Sequence, residues 1–397
     1  MNRLSRVHKY FSCLAVGQKK QPPQLGHCWC FSPIILRRRF KCFLSGAKLL
    51  LYIVLAFYSL NAIAQPSKKV ASSPVKNIYR GFEITADLTE KDFVDLKNYG
   101  VNLVRVMFAD NKLISKTPPY EHNETEFKKL DNIIMLCRKY GIRVVIDPHT
   151  FPGLKNDYTT SYDDEFWTRK DLQDKLVEMW KKISDRYKTN GEVIFGYDLL
   201  NEPYVPDAEI WYDLVARITK VIRDNGDHHT IIIEPNALNV EGKWISRNKN
   251  LAQLKLPDDN NIIVSPHFYE PHEYTHQLVS PSYKRVSYND PKLNAKSIVQ
   301  KEIALIREFQ LAHPKVPVYI GEFSVSRIAG DSNEYLKDVI DACEKYGWHW
   351  TYHAFRESFF WDPEMPIGTL EILPRNNNEK RITVLKKYFL KNKQVKF

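Results

Sequence analysis

The chain has 397 residues, room for one large or two ordinary domains, and a formal net charge of +11. Residues 1–64 carry ten Lys or Arg and no Asp or Glu, so residues 65–397 are left at +1. A nearly neutral body has no global basic field to draw it to phosphates, which sets a nucleic-acid partner aside.

Four of the six cysteines, Cys13, Cys28, Cys30 and Cys42, lie in the same basic leader. The Cys28-Trp29-Cys30 spacing is too tight for a zinc knuckle, and the leader offers no matching second pair. Cys137 and Cys343 fall on expected helices and read as buried free thiols. In the leader, Arg37-Arg38-Arg39, Lys41 and Lys48 precede the apolar run Leu49 to Leu60 and then Ala62-Ile63-Ala64. A basic segment, an apolar segment and an A-x-A site make a secretory signal, with cleavage expected after Ala64. The run is shorter than the roughly 20 residues of a spanning helix, so export is expected rather than stable membrane insertion. Residues 65–77, containing Ser, Lys and Pro, read as a flexible tether, and residues 78–397 as the folded body.

From Ile78 onward, strand-like and helix-like segments alternate. Ile78–Thr85 reads as a strand, then Thr89 caps a short helix that Gly100 stops. Val101–Phe108 is the second strand, with Arg105 inside an apolar run. Glu126–Tyr140 is helical, and Arg143–His149 is the third strand. Leu172, Leu176, Trp180, Ile183 and Tyr187 recur at helical spacing, which gives Asp164–Thr189 an apolar stripe. Val193–Pro203 is the fourth strand, an apolar run that breaks into Asn201-Glu202-Pro203. The pattern continues with the helix Ala208–Asp224, strands at Thr230–Asn236 and Ile262–Tyr269, and a helix within Ala295–Ala312. The seventh strand, Val318–Phe323, repeats the grammar of the fourth and carries Gly321-Glu322-Phe323. A helix over Asn333–Tyr346, an eighth strand over Trp348–Phe355 and a helix over Glu379–Lys393 close the chain. Eight strands mostly separated by helices predict the α/β class and a single (β/α)8 barrel domain. The alternative, an open doubly wound sheet, would carry a Gly-rich phosphate turn early in the chain, and none is present.

In a barrel the active site gathers at the C-terminal ends of the strands. The second strand brings Arg105, the third His149, the fourth Asn201 and Glu202. The sixth brings His267 and Tyr269, the seventh Glu322, and the eighth His353 among aromatics. Taken singly, each has a structural reading, a salt bridge or a satisfied core histidine; together they would meet on one rim.

These residues resemble glycoside hydrolase family 5, the cellulase-type retaining enzymes, over about residues 78–395. The resemblance implies Glu202 as general acid/base and Glu322 as nucleophile. It implies Arg105 bracing the nucleophile, Asn201 on the sugar 2-hydroxyl, and His149, His267 and Tyr269 lining the subsite. It implies no cofactor and no metal. One departure stands out: the family usually places a Trp on the eighth strand as a sugar platform, and His353 falls in that slot. Trp361, in the following loop, is the candidate replacement.

A glycosidic oxygen leaves poorly without a proton, and the anomeric carbon needs a nucleophile or anion on its opposite face. Arg105 near Glu322 would favour its ionised form, whereas Glu202 would need its pKa raised by burial or by the other carboxylate. Long loops add Tyr158 and Tyr162, His272, Tyr274, Tyr283 and Tyr288, and Phe359, Phe360 and Trp361, as stacking faces for sugars or as ordinary packing. Asn123-Glu124-Thr125 is a glycosylation sequon, meaningful in a eukaryotic secretory path.

The leading expectation is a secreted, monomeric endo-acting β-glycosidase on an oligo- or polysaccharide such as a β-1,4-glucan. The rivals are a β-mannanase or exo-β-glucosidase of the same fold, a non-catalytic carbohydrate-binding barrel, and a metal-dependent enzyme using Asp147, His149, Glu202 and Glu234.

Overall fold

The computed structural model describes residues 77–155, 159–279 and 283–397. The expected signal, its cleavage site at Ala64 and nearly all of the tether lie outside the described residues, as does Tyr158. The elements run β1 (Arg80–Thr85), α1 (Glu90–Tyr99), β2 (Leu103–Met107), α2 (Glu124–Tyr140), β3 (Arg143–Asp147), α3 (Lys170–Tyr187) and β4 (Ile194–Asp198). Next come β5 (Tyr204–Val205), α4 (Ala208–Asp224), β6 (Ile231–Ile233), β7 (Ala237–Val240), β8 (Lys243–Ile245), α5 (Arg247–Asn250) and β9 (Ile262–Val264). The chain ends with α6 (His272–Thr275), α7 (Ala295–Ala312), β10 (Tyr319–Ile320), α8 (Ser332–Tyr346), β11 (His349–Tyr352) and α9 (Lys380–Phe389).

Eight parallel strands form one sheet in the order β10-β11-β1-β2-β3-β4-β6-β9. Its two outer strands meet through a parallel bridge, Val264 to Val318, and a second, Phe268 to Phe323, stands above it. The ring is therefore nearly closed, and the architecture is the (β/α)8 barrel. The short β5, β7 and β8 form a separate three-stranded sheet on the rim, which the sequence did not announce.

Local chemistry explains the elements. Thr89 and Asp92 form a reciprocal capping box at α1, and Gly100 ends that helix at φ 87°. Asn123 caps α2, its side chain accepting from the Thr125 amide. The same Asn123 is the exposed acceptor of the sequon. The aromatic stripe of α3 is buried against the sheet, and Trp180 Nε1 donates to the Leu199 carbonyl at 3.0 Å. From α4, Trp211 Nε1 donates to the Glu234 carbonyl at 3.0 Å. These two indoles hold the chain where β4 and β6 open into the site. Cys137 and Cys343 are buried free thiols, as expected.

The pleat decides what fills the barrel. Leu103, Val145, Phe195, Ile232, Ile263 and Tyr319 form one apolar cluster inside the ring. Two residues further along a strand points the same way. Leu103 is therefore followed by Arg105, Val145 by Asp147, and Ile232 by Glu234. An apolar floor gives way within one repeat to a buried charged layer. At Gly81 a Cβ would sit 1.6 Å from the Leu103 carbonyl oxygen, so β1 and β2 need a bare backbone there. Among the described residues no helix is long and apolar enough to cross a membrane.

Candidate active site

The centre of the charged layer is Arg105, fully buried on β2. Its Nε donates to Asp198 Oδ2 at 2.9 Å. Its Nη1 donates to Glu83 Oε2 and to Glu322 Oε1, both at 2.7 Å. Its Nη2 donates to Asn201 Oδ1 and Glu234 Oε1, both at 3.0 Å, and lies 3.2 Å from Asp147 Oδ2. One planar fork on β2 thus gathers groups from β1, β3, β4 and the segments after β4, β6 and β10. Burial opposes the guanidinium charge, yet Asp147, Asp198, Glu83 and Glu322 together raise the Arg105 pKa further. Burial drives Asp198 well above the usual carboxylate range despite Arg105. Glu83 stays low, at about 2: burial pushes it up, and Arg105 and His353 outweigh it.

Glu322 follows β10 and is 5% exposed. Besides Arg105, Tyr269 donates its hydroxyl to Glu322 Oε2 at 2.8 Å. Both donors aim at the oxygens, which fixes the carboxylate plane. Gly321 makes room beside it, because a Cβ there would lie 2.4 Å from Ser265 Oγ and 3.2 Å from His267 Nε2.

Glu202 follows β4 with its backbone in the left-handed region, φ 48°, an uncommon state for a residue with a side chain. Three contacts hold the turn. The Glu202 amide donates to Glu234 Oε2 at 2.7 Å, Thr160 Oγ1 donates to the Glu202 carbonyl at 2.7 Å, and Arg247 reaches the same carbonyl at 3.3 Å. Glu202 Oε1 lies 3.0 Å from His267 Nδ1, and Oε2 accepts from Arg247 Nη2 at 3.1 Å and Thr159 Oγ1 at 3.3 Å. The expected upward shift of Glu202 is overturned. Burial does push it up, but Arg247 and His267 hold the carboxyl well below its ordinary range. Arg247 carries no motif or periodic signal of its own; it comes from α5, next to the small sheet on the rim.

The two glutamates face each other. Glu202, His267 and Glu322 each place a polar atom within 4.8 Å of the others. His267 stands between them, its Nε2 3.2 Å from Glu234 Oε1 and its Nδ1 3.7 Å from Glu322 Oε2. Burial opposes its charge, but Glu234, Glu322 and Glu202 raise its pKa well above the imidazole range.

The remaining expected residues fall on the same rim, in different layers. His149 lies behind Asn201, with Nδ1 2.7 Å from Asp147 Oδ2 and Nε2 3.0 Å from the Asn201 amide nitrogen. It orients that amide. His353 pairs with Glu83 at 3.1 Å. Trp361 is 3% exposed and packs against His276, His353 and Tyr269 at 5.0, 5.8 and 6.1 Å. These three neighbours leave little of its ring open. Among the loop aromatics, Tyr274 and Tyr288 belong to the core, packed tilted and edge-on against Tyr335, and His272 stacks on His276 at 4.7 Å. Tyr162 is 40% exposed beside Tyr204, and Trp244, on β8, is 48% exposed beside His272. Trp244 went unnoticed in the sequence, because an exposed Trp in a short polar hairpin carries no periodic signal.

The alternative metal set of Asp147, His149, Glu202 and Glu234 does not converge on a vacant point. Asp147 and Glu234 both turn to the Arg105 guanidinium, and His149 is spent on Asp147 and Asn201. Two other acid-and-imidazole groups, Glu202/His267/Glu322 and Glu83/Glu322/His353, are each held within 4.8 Å. In each, the facing carboxylates raise the imidazole pKa against the effect of burial.

A nearly closed parallel barrel with two facing carboxylates over a buried arginine is the arrangement glycoside hydrolysis calls for. The sequence profile described as cellulase (glycosyl hydrolase family 5) matches residues 69–358, and the chain belongs to that family. Endoglucanase C of Acetivibrio thermocellus is 27% identical over 316 residues, covering 71% of this chain and 88% of that one. Thermotoga maritima Cel5A, solved with a mannotriose substrate, superposes with a TM-score of 0.63 at 26% identity, covering 78% of this chain and 98% of that one. Its cellobiose complex superposes with the same TM-score, identity and coverage. The protein is a cellulase-like glycosidase.

Proposed function

We propose that the enzyme is a retaining endo-β-1,4-glucanase in which Glu322 is the nucleophile and Glu202 the general acid/base. The observation that carries this is the approach of their carboxylate oxygens to within 4.8 Å. Retaining pairs stand roughly 5–5.5 Å apart, whereas inverting pairs leave about 6.5–9.5 Å for a water.

In the first step Glu322 attacks the anomeric carbon as the bond to the leaving sugar breaks, and Glu202 passes a proton to the departing oxygen. In the second, water attacks the same carbon, Glu202 takes its proton, and the ester to Glu322 breaks. Arg105 and Tyr269 keep Glu322 aimed through both steps. His267 resolves the low pKa of Glu202. Its Nδ1 lies 3.0 Å from Glu202 Oε1, so the two groups titrate as a pair, and the proton the pair holds reaches the leaving oxygen through Glu202. Asn201, oriented by His149, is placed to donate to the sugar 2-hydroxyl. Trp244 and Tyr162, exposed on the rim, are the stacking faces for further sugar units.

A mannan-type substrate is the second reading, favoured by the mannotriose complex of the Thermotoga enzyme. We further propose that the body begins near residue 78, that it is exported by the 1–64 leader, and that it acts as a monomer without a metal. Defined cello- and manno-oligosaccharides with product analysis test the reading. Internal cleavage of cellotetraose or longer chains, with β-configured products first, is expected. Release of single units from one end, or α-configured products first, would overturn it.

A further inference from the structure

His353 stands where a stacking ring would be expected, and its surroundings suit a different task. It follows β11, and its amide donates to the Phe323 carbonyl at 3.1 Å, which sets it beside Glu322. Its Nδ1 donates to Glu83 Oε1 at 3.1 Å. The other oxygen of Glu83 accepts from Arg105 Nη1, which also holds Glu322. Polar atoms of Glu83, His353 and Glu322 lie within 4.8 Å of one another. Glu83 is fully buried and fully engaged, whereas the His353 side chain is 12% exposed. Among the described residues, no protein hydrogen bond is made by His353 Nε2.

Resting on the reading of Glu202 and Glu322 given above, we propose that His353 contacts the sugar undergoing cleavage as a charged hydrogen-bond donor through Nε2, with Glu83 holding the ring. A Glu83–His353 pair thus replaces an aromatic face, and the donor sugar must present an oxygen acceptor toward β11. Three acids surround the imidazole: Glu83 from β1, Glu322 after β10 and Glu357 in the loop after β11. His276, after α6, is a further titratable neighbour among the described residues, with its pKa lowered to about 3 by burial and by His272, and the Arg105 guanidinium stands across Glu83. Burial works against the His353 charge, but Glu83 and then Glu322 raise its pKa to about 9. The donor is therefore charged at neutral pH and loses its charge as pH rises through that value.

The test compares His353→Phe, which keeps a ring and deletes the donor, with His353→Gln, which keeps a neutral donor, on cellotetraose. A charged donor to a sugar hydroxyl predicts a loss of roughly 10- to 100-fold in kcat/KM for His353→Phe. His353→Gln should lose less, and its profile should lack the wild-type decline near pH 9. In the wild-type protein, the His353 imidazole nitrogens should titrate near pH 9 by NMR and shift when cellobiose is added. Wild-type kcat/KM in His353→Phe, or an imidazole signal that ignores cellobiose, overturns the inference. Should Glu202→Gln and Glu322→Gln still abolish turnover, that failure would leave the catalytic pair standing. Turnover surviving in those two would instead remove the reading beneath it.

Discussion

Arg247 donates from Nη2 to Glu202 Oε2 at 3.1 Å, placing a guanidinium on one of the two facing carboxylates. The pair is only 16% exposed on either side, so water screens it weakly. Replacing the arginine with Arg247→Met should let burial act on Glu202, and its pKa should rise. The acid form then persists to higher pH, and the Glu202 carboxyl should titrate at higher pH by NMR. Stability should respond in the opposite region. A carboxyl held below its ordinary value stabilises the fold above about pH 4, and that contribution fades as pH falls through the folded value. Thermal melts of Arg247→Met should therefore fall below wild type at neutral pH and converge with it in acid. An unmoved Glu202 titration would show that Arg247 does not govern Glu202.

Arg105 satisfies carboxylates from several strands at once with no exposure to solvent. Its removal leaves those charges buried and unpaired, which costs about 3–5 kcal/mol for a single broken buried pair. Arg105→Met should fold with a sharply lowered melting temperature and show no measurable turnover. Arg105→Lys should recover part of the stability and little activity, since an ammonium lacks the planar fork that spans Glu83, Asp198 and Glu322. A melting temperature near wild type in Arg105→Met would contradict the central place given to this residue.

Gly321 separates the floor of β10 from Glu322. Gly321→Ala puts a methyl against Ser265 and the edge of His267. The His267 ring must yield, and with it the 3.0 Å contact to Glu202. Turnover is expected to fall roughly 10- to 100-fold, as small misplacements in a catalytic constellation do. The change should appear in kcat more than in KM, because no sugar contact is removed. Unchanged kcat would show that His267 tolerates displacement.

Much of this site was legible because a barrel turns strand ends into a single rim. Glu202 and Glu322 stood out where apolar runs broke into polar residues, and Arg105 stood out as a charge inside such a run. Glu83 and Asp198 did not, since one acid inside a strand looks the same whether it faces solvent or a buried arginine. Strand lengths were overread for a related reason. Leu199 and Leu200 are fully buried and extend the apolar run, yet β4 ends at Asp198, because core burial requires no ladder hydrogen bonds. Arg247 and Trp244 sit in an insertion between barrel strands, where periodicity is silent and position is set by the tertiary fold. The missed arginine also explains why Glu202 was expected high and is instead held low.

The nucleophile can be marked directly. An activated β-cellobioside bearing fluorine at the sugar 2-position reacts with a retaining enzyme but hydrolyses slowly, so the glycosyl group stays on the attacking carboxylate. After digestion and mass spectrometry, the added sugar should sit on the peptide containing Glu322, and Glu322→Gln should take up none. Label on a different carboxylate, or steady cellotetraose turnover by Glu322→Gln, would contradict the assignment on which the mechanism stands.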